Sequence, residues 1–416
     1  MIQYLTPDQA LQDILNLVEY VRSELGCNPE PTSEEYCPVI TFGGSYPGFL
    51  STMLRFRFPD IIDIGYASSA PLYLYSQKVD SDAYYDKITE VAEASSPGCA
   101  DAVRSTLFDI RDDLLANYTT VREAAQVTGF CPETFPDYME TIPEFISETI
   151  TFLIPAMFAD FNMFYYPPSP EAGLARACRA FQDSSKAPMQ RLLDFFELRA
   201  EIEYGLKDTT DADTPYCFDL SLELPDGPNA RIRGADNSGS GGGYTGESKF
   251  VGKPSSLIVH EEGISVSRLV LLSTFFNFLT VWEFQCCKDL IIRAGYSEDS
   301  MFLPRHFDYA WHKEHCEERF PGVPVLPFRM RDEWHFDNLS TASRILFVNG
   351  LNDGWSTSSI LETDNPRLKV INMGNGAHHS ELGPVYPNPE DTLDVVEGHE
   401  QATKILSDWL AESRKG

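Results

Sequence analysis

Three short polar stretches contain the residue types that nucleophilic catalysis needs. Ser45 lies in the sequence GGSYPG, Asp353 lies in NGLNDGWS, and His378 is the first of the two histidines in GAHH. A serine hydroxyl becomes a strong nucleophile only when a base takes its proton, and an aspartate can hold that base in the correct tautomer. The chain order Ser, Asp, His is that of the α/β-hydrolases and differs from two other serine peptidase orders.

The residues around Ser45 predict a strand, a tight turn and a helix. Pro38 to Phe42 (PVITF) is short, β-branched and followed by glycines, which indicates a buried strand, and FLSTMLRFRF after the turn is helix-like. A strand that ends in Gly-Gly-Ser and turns directly into a helix is typical of the nucleophile elbow, where the N–H of Tyr46 would face a developing oxyanion. Pro47 replaces the last glycine of the usual G-x-S-x-G pattern, which a helix start tolerates. On its own, this motif fits an ordinary strand-to-helix turn equally well.

Asp353 and His378 each follow a predicted core strand, at Arg344 to Val348 and at Leu368 to Met373. Simpler interpretations exist, because Asn, Asp and Gly favour turns and GAHH would also suit a surface histidine pair or half of a metal site. No cluster with metal-ligand spacing accompanies GAHH, so we expect no metal site there. We interpret the other cluster of such residues as structural; it consists of His312, His315 and Cys316.

The predicted elements indicate an α/β fold with a large helical insertion. Strands and helices alternate in the first 70 residues and again in the last third, which predicts a mostly parallel sheet. The first helix begins at Thr6-Pro7-Asp8-Gln9, which reads as a capping box. We predict residues 1–78 as the first part of an α/β-hydrolase core, 79–300 as a helical cap, and 301–416 as the second part of the core. Residues 234–248 are rich in Gly and Ser and predict a loop.

The amino-acid composition limits the partners and the cellular compartment that the sequence predicts. The 416 residues include 63 Asp plus Glu against 32 Lys plus Arg, a net charge of -31, which disfavours nucleic acid and anionic membrane surfaces as partners. The apolar run at 269–282 is too short to cross a bilayer. Nine dispersed cysteines and the sequons at Asn117 and Asn338 favour a secreted or lysosomal protein. Residues 1–25 have no signal-peptide pattern, and we therefore hypothesise that Met1 is not the true start.

Six stretches resemble the lysosomal Pro-Xaa carboxypeptidase and dipeptidyl peptidase II family of serine peptidases. They are IQYLTPDQAL, FGGSYPG, ASSAP, WEFQCC, NGLNDGWS and GAHH, and they run from residue 2 to about residue 380. Ordinary lipases and esterases lack WEFQ and GAHH. The resemblance implies cofactor-free hydrolysis of peptides after proline, or after a small residue at the second position. It leaves open whether the chain acts as a carboxypeptidase or a dipeptidyl peptidase, and the sequence leaves open whether it forms a homodimer.

The resemblance also assigns roles to individual residues. The nucleophile falls on Ser45, the acid on Asp353 and the base on His378, and Phe49 and Trp355 would contribute to a pocket for proline. The implied disulfides are Cys99–Cys178, Cys131–Cys217 and Cys287–Cys316. Of the remaining cysteines, Cys27, Cys37 and Cys286, the first two are candidates to pair.

Two departures from the family keep other functions open. Only 44 residues precede Ser45, whereas α/β-hydrolases place several strands there, including the loop that donates a second oxyanion N–H. Residues 246–281 have no counterpart in the family, and we hypothesise a retained intron or a lineage insertion. The alternatives are therefore another α/β-hydrolase, such as an esterase, and a truncated or non-catalytic relative.

Overall fold

A parallel sheet of four strands forms the centre of the chain. The computed structural model describes residues 4–132, 139–204, 218, 282–383 and 388–413. Within them the sheet has the order β1-β2-β3-β4, and all three pairings are parallel. The strands are β1 (Ile40–Gly44), β2 (Ile64–Ser68), β3 (Ile345–Gly350) and β4 (Lys369–Met373). The predicted α/β class with a parallel sheet is confirmed, and each predicted core strand lies within a few residues of an observed one.

The two central strands are buried along their whole length, as in a sheet that is covered on both faces. Every residue of β2 and of β3 is buried, which is usual for parallel strands. The edge strands are less covered, and Phe42 of β1 keeps 57% of its surface exposed. The pairing of β2 with β3, where Ala67 lies opposite Phe347, joins two parts of the chain that the whole helical region separates.

Helices flank the sheet and fill the middle of the chain. In the first part they are α1 (Pro7–Glu24), α2 (Tyr46–Arg57) and α3 (Leu72–Tyr75). The middle region contains α4 (Ala83–Ser95), α5 (Cys99–Asn117), α6 (Val121–Thr128), α7 (Ile142–Glu148), α8 (Ile154–Met163), α9 (Gly173–Gln182) and α10 (Pro188–Tyr204). After residue 281 follow α11 (282–288), α12 (Tyr309–Arg319), α13 (Arg329–Trp334) and α14 (Leu393–Ser413).

The start of α1 shows how the local sequence sets a helix end. Thr6 has an extended backbone, and its hydroxyl accepts the N–H of Gln9 at 3.2 Å, as the predicted cap requires. The Gln9 amide, however, donates to Asp13 at 2.7 Å. The reciprocal bond of a full capping box is therefore replaced by a bond one turn further along the helix.

The helical region has a core of its own. Phe158 and Phe195 stack at 5.1 Å between ring centroids, and Phe302 packs against the edge of Phe158. A second cluster lies beneath the sheet around Phe49, and Trp355 packs against both clusters. The stretch Ile142–Met163 is long and apolar enough to cross a membrane, but 61% of that window is buried inside the protein, as in a core helix. The division at residues 78 and 300 stays a prediction.

Three disulfides connect described residues. They are Cys27–Cys37, Cys99–Cys178 and Cys287–Cys316, and the last two are pairs that the family resemblance implies. Cys131 is also disulfide-bonded, whereas its implied partner Cys217 lies outside the described residues. Cys286 is a free thiol. The predicted loop at 234–248 and the atypical stretch 246–281 also lie outside the described residues.

Candidate active site

Ser45 occupies the tight turn between β1 and α2. Its φ of 60° and ψ of -129° lie in a region that non-glycine residues rarely adopt, at a cost of about 1–3 kcal/mol. The turn is held from both sides, because the Ser45 N–H donates to the Ser68 carbonyl at 2.9 Å and its own carbonyl accepts the N–H of Phe49. A Cβ on Gly43 would overlap the Pro47 carbonyl, so the turn requires glycine at that position. The arrangement has the backbone features of a nucleophile elbow.

Tyr46 is the first residue of α2, where backbone N–H groups have no acceptor within the helix. Its backbone is thus placed to donate to an anion next to Ser45. Its ring packs against Trp282 and Tyr75, at 5.4 and 6.4 Å between centroids. Burial raises the pKa of the Tyr46 hydroxyl well above its ordinary value, so this side chain stays neutral.

Asp353 and His378 form a buried hydrogen-bonded pair. The Asp353 Oδ2 and the His378 Nδ1 are 2.7 Å apart, and the two residues are 0% and 6% exposed. The other carboxylate oxygen of Asp353 accepts the N–H of Trp355 at 2.9 Å. The His378 Nε2 is buried and has no hydrogen-bond partner among the described residues, so the Ser45 hydroxyl is not bonded to it in this conformation. The hydrogen bond to Asp353 therefore holds the imidazole through Nδ1, and Nε2 remains available to accept a proton.

The loops that carry Asp353 and His378 are bonded to each other. The N–H of Leu351 donates to the Met373 carbonyl, and the N–H of Asn352 donates to the Gly376 carbonyl, both at 2.9 Å. A Cβ on Gly350 would overlap the backbone of Gly376 and Ala377. Glycine at the end of β3 therefore permits the close approach that brings the acid and the imidazole together.

Two further titratable groups lie beside this pair. The centroid of the His379 ring is 4.4 Å from that of the His378 ring. The backbone N–H of His379 donates to the Ser69 hydroxyl at 3.0 Å. Burial, and then the proximity of His378, lower the pKa of His379 to about 4. The buried carboxyl of Glu381 accepts the Tyr66 hydroxyl at 3.2 Å, and burial raises its pKa. Near neutral pH, His379 is therefore uncharged.

The first part of the chain matches a family of serine peptidases. Residues 1–140 match the family described as Serine carboxypeptidase S28. The lysosomal Pro-X carboxypeptidase of Bos taurus is 22% identical over 420 residues, which cover 99% of this chain and 70% of that protein. Its counterpart in Mus musculus is 23% identical with the same coverage. The thymus-specific serine protease of Mus musculus is 30% identical over 135 residues, or 32% of this chain and 25% of that protein.

The chain is similar to the S28 serine carboxypeptidases, and residues 1–140 carry the family match. The family match, the alignment along almost the whole chain and the parallel α/β sheet agree with one another. This similarity supports a serine peptidase that acts on peptides. The identity to the Pro-X carboxypeptidases is low, so the roles of single residues rest on the geometry of the site.

The two residues predicted for the proline pocket lie in different surroundings. Trp355 is partly exposed, and its ring contacts that of Tyr84 at 4.1 Å between centroids. Phe49 has no exposed surface and stacks on Trp334 within the core below the elbow. The pocket role of Phe49 stays a prediction, and in this conformation the side chain does not reach solvent.

Sequence reasoning missed the end of α8. Asn162 and Met163 contact the loops on both sides of the Asp353–His378 pair, although they lie in the helical region. Nothing in their local sequence distinguishes them from other residues of an apolar helix.

The part of the chain that the structure describes contains no group of three side chains that could hold a metal ion. In the cluster predicted as structural, Cys316 forms a disulfide with Cys287, and His315 lies next to Glu283.

Proposed function

We propose that this chain hydrolyses peptide bonds with Ser45 as nucleophile, His378 as general base and Asp353 as the orienting acid. The observation that carries this proposal is the buried contact of 2.7 Å between Asp353 and the His378 Nδ1, at the same edge of the sheet as a serine on a strained elbow. A buried carboxylate bonded to Nδ1 leaves Nε2 free to take a proton and stabilises the imidazolium that results.

The reaction follows from the positions of these groups. The Ser45 Oγ attacks the carbonyl carbon of the peptide as the His378 Nε2 takes the hydroxyl proton, and the carbonyl oxygen becomes an oxyanion near the Tyr46 N–H. The C–N bond then breaks, and His378 gives its proton to the leaving amine. Water, deprotonated by His378, attacks the acyl-enzyme, so that the acid leaves and the serine hydroxyl is restored.

We infer that the bond cleaved follows proline or a small residue, near one end of a peptide. The support is the name of the Bos taurus and Mus musculus relatives, Pro-X carboxypeptidases, and the partly exposed Trp355 ring next to Asp353. Aromatic side chains offer a flat apolar surface on which a pyrrolidine ring can pack. Peptides therefore remain the proposed partners, without a cofactor and without nucleic acid.

The lysosome or the secretory route is the proposed location. The Bos taurus and Mus musculus relatives carry the word lysosomal in their names, and three disulfides connect described residues. Asn117 and Asn338, the two sequon asparagines, are both exposed, which glycan attachment requires. A net charge of -31 suits an acidic compartment, where part of it is neutralised.

Labelling with a fluorophosphonate probe tests the proposed nucleophile. We expect the wild-type chain to be labelled, Ser45→Ala to lose the label, and Asp353→Asn to react about 10⁴-fold more slowly because the imidazole loses its orienting anion. Ser105→Ala, at an exposed serine on α5, is the matched control and should label as the wild type does. Undiminished labelling of Ser45→Ala would remove the nucleophile from this position.

A substrate panel then tests the proposed specificity. We expect release of phenylalanine from an amino-blocked peptide that ends in Pro-Phe if the chain is a carboxypeptidase. Release of a dipeptide from a free Xaa-Pro amide would indicate a dipeptidyl peptidase. Cleavage of nitrophenyl esters without either reaction would favour an esterase and contradict the peptidase proposal.

A further inference from the structure

Asn162 is a buried polar residue that contacts the backbone on both sides of Asp353. It is the penultimate residue of α8, and its side chain has no exposed surface. Its Nδ2 donates to the carbonyl of Asn352 at 2.8 Å, and its Oδ1 accepts the N–H of Gly354 at 2.8 Å. Both functional groups of this one amide are thus used by the two residues that flank Asp353.

The next residue of the chain contacts the loop of the histidine. The carbonyl of Met163 accepts the N–H of His378 at 3.3 Å, and its sulfur lies 3.4 Å from the Trp355 Nε1. The end of α8 therefore touches both loops of the Asp353–His378 pair. Since α8 belongs to the helical region and both loops belong to the sheet, this contact relates the two parts of the molecule at the proposed site.

We propose that Asn162 is a positioning residue for Asp353. The inference rests on the proposed function, because it concerns the orientation of the triad acid. The carboxylate of Asp353 must meet the His378 Nδ1 in one geometry, and its direction follows from the backbone of the turn that bears it. Bonds at Asn352 and Gly354 hold that backbone immediately before and after the acid. Such a buried amide, with both partners fixed, restricts the turn to one conformation.

A merely structural role for Asn162 predicts a different result from a positioning role. A structural amide would stabilise α8 against the sheet and act on the folded fraction alone. A positioning residue acts through Asp353, so its effect on the rate must depend on whether Asp353 is present. A double-mutant cycle separates the two roles, because coupling between two sites appears as non-additivity.

The experiment combines Asn162→Leu with Asp353→Asn in the full chain. Leucine has a similar volume and removes both hydrogen bonds. With the amino-blocked Pro-Phe peptide we expect Asn162→Leu to lower kcat about 10²-fold with little change in KM, which is the effect of a misplaced catalytic group. The fluorophosphonate labelling rate, measured for all four members of the cycle, should fall about 10²-fold with Asp353 in place and respond far less to the same substitution in the Asp353→Asn background.

Thr149→Val is the matched control. Thr149 is fully buried in the same helical stretch, and its hydroxyl donates to the Phe145 carbonyl at 2.6 Å, within the helix. We expect this variant to keep the wild-type kcat, even where its thermal unfolding temperature falls as far as that of Asn162→Leu. Equal losses of kcat in the two variants would overturn the positioning role.

Two other results would also overturn it. They are a wild-type kcat in folded Asn162→Leu, and an equal factor of loss with and without the Asp353 carboxylate. If the leucine variant does not fold, Asn162→Ala takes its place in the same cycle. A wild-type chain that fails to label at Ser45 would instead contradict the proposed function, and that failure is seen before any Asn162 variant is made.

Discussion

At the scale of single residues, the two imidazoles of the candidate site differ in the contacts that their rings make. His378 has Asp353 at its Nδ1, whereas His379 is bonded through its backbone to Ser69 and its ring is desolvated beside another imidazole. Two adjacent residues of the same type are therefore held in different electrostatic environments. It is His378 that is hydrogen-bonded to a carboxylate, which can stabilise its protonated form during catalysis.

We expect His379 to make the stability of the fold depend on pH. Its pKa is about 4 in the folded chain and 6.5 ordinarily. Because the folded pKa is lowered, the stabilisation is present above about 6.5 and is lost as the pH falls towards about 4. His379→Gln should therefore flatten the decline of the unfolding free energy over this window, as measured by urea denaturation. His306→Gln is the control, because that side chain is 70% exposed. If the unfolding free energy of His379→Gln declines with pH as steeply as that of the wild type, the prediction is wrong.

At the scale of elements, the site depends on the ends of parallel strands. β1 ends at the Ser45 elbow, β3 ends at the Asp353 loop and β4 ends at the His378 loop, so all three residues emerge at the same edge of one sheet. Parallel sheets place their functional loops at the carboxyl ends of the strands for this reason. The close backbone contact between the last two loops then sets the distance between acid and base.

A methyl group at Gly350 should separate these two loops. Gly350→Ala places a Cβ in the backbone of Gly376 and Ala377, which is rigid and cannot rotate away. We expect a loss of stability of about 1–3 kcal/mol and a loss of kcat of about 10²-fold. Gly374→Ala lies in the loop after β4 and meets only Asp394, at 3.7 Å, so it should change either quantity little. Equal kinetic effects in the two variants would show that loop contact does not set the geometry.

At the scale of the whole molecule, the large negative charge opposes compactness. The net charge is -31 at pH 7, and like charges on one surface repel each other. Raising the salt concentration from about 0.01 M to about 0.15 M shortens the screening length from about 30 Å to about 8 Å. We therefore expect the thermal unfolding temperature to rise with salt at pH 7.

The same measurement near the sequence pI of about 4.5 provides the contrast. There the net charge is close to zero, and added salt should raise the thermal unfolding temperature only slightly. Sodium and potassium chloride should act alike, because screening depends on ionic strength. A gain of equal size at both pH values would show that charge repulsion does not govern the stability of this chain.

The sequence predicted the elements around the site because their signals are local. Apolar runs bounded by glycines gave the positions of β1 and β3, and the strand-turn-helix order around Ser45 followed from neighbouring residues. The chain order Ser, Asp, His also needs no structure. The start of the first helix was predicted at Thr6-Pro7, and α1 begins at Pro7, because helix capping acts within one turn.

Only the tertiary structure decided which distant segments meet. The pairing of β2 with β3, the contact between Asp353 and His378, and the approach of Asn162 from the helical region all join residues far apart in the chain. Such contacts depend on how whole faces pack, and the local pattern at each residue is the same with or without its partner. The sequence alone therefore determined the candidate triad and the kind of fold, whereas packing decided that Phe49 is buried and that an amide from α8 holds the turn of the acid.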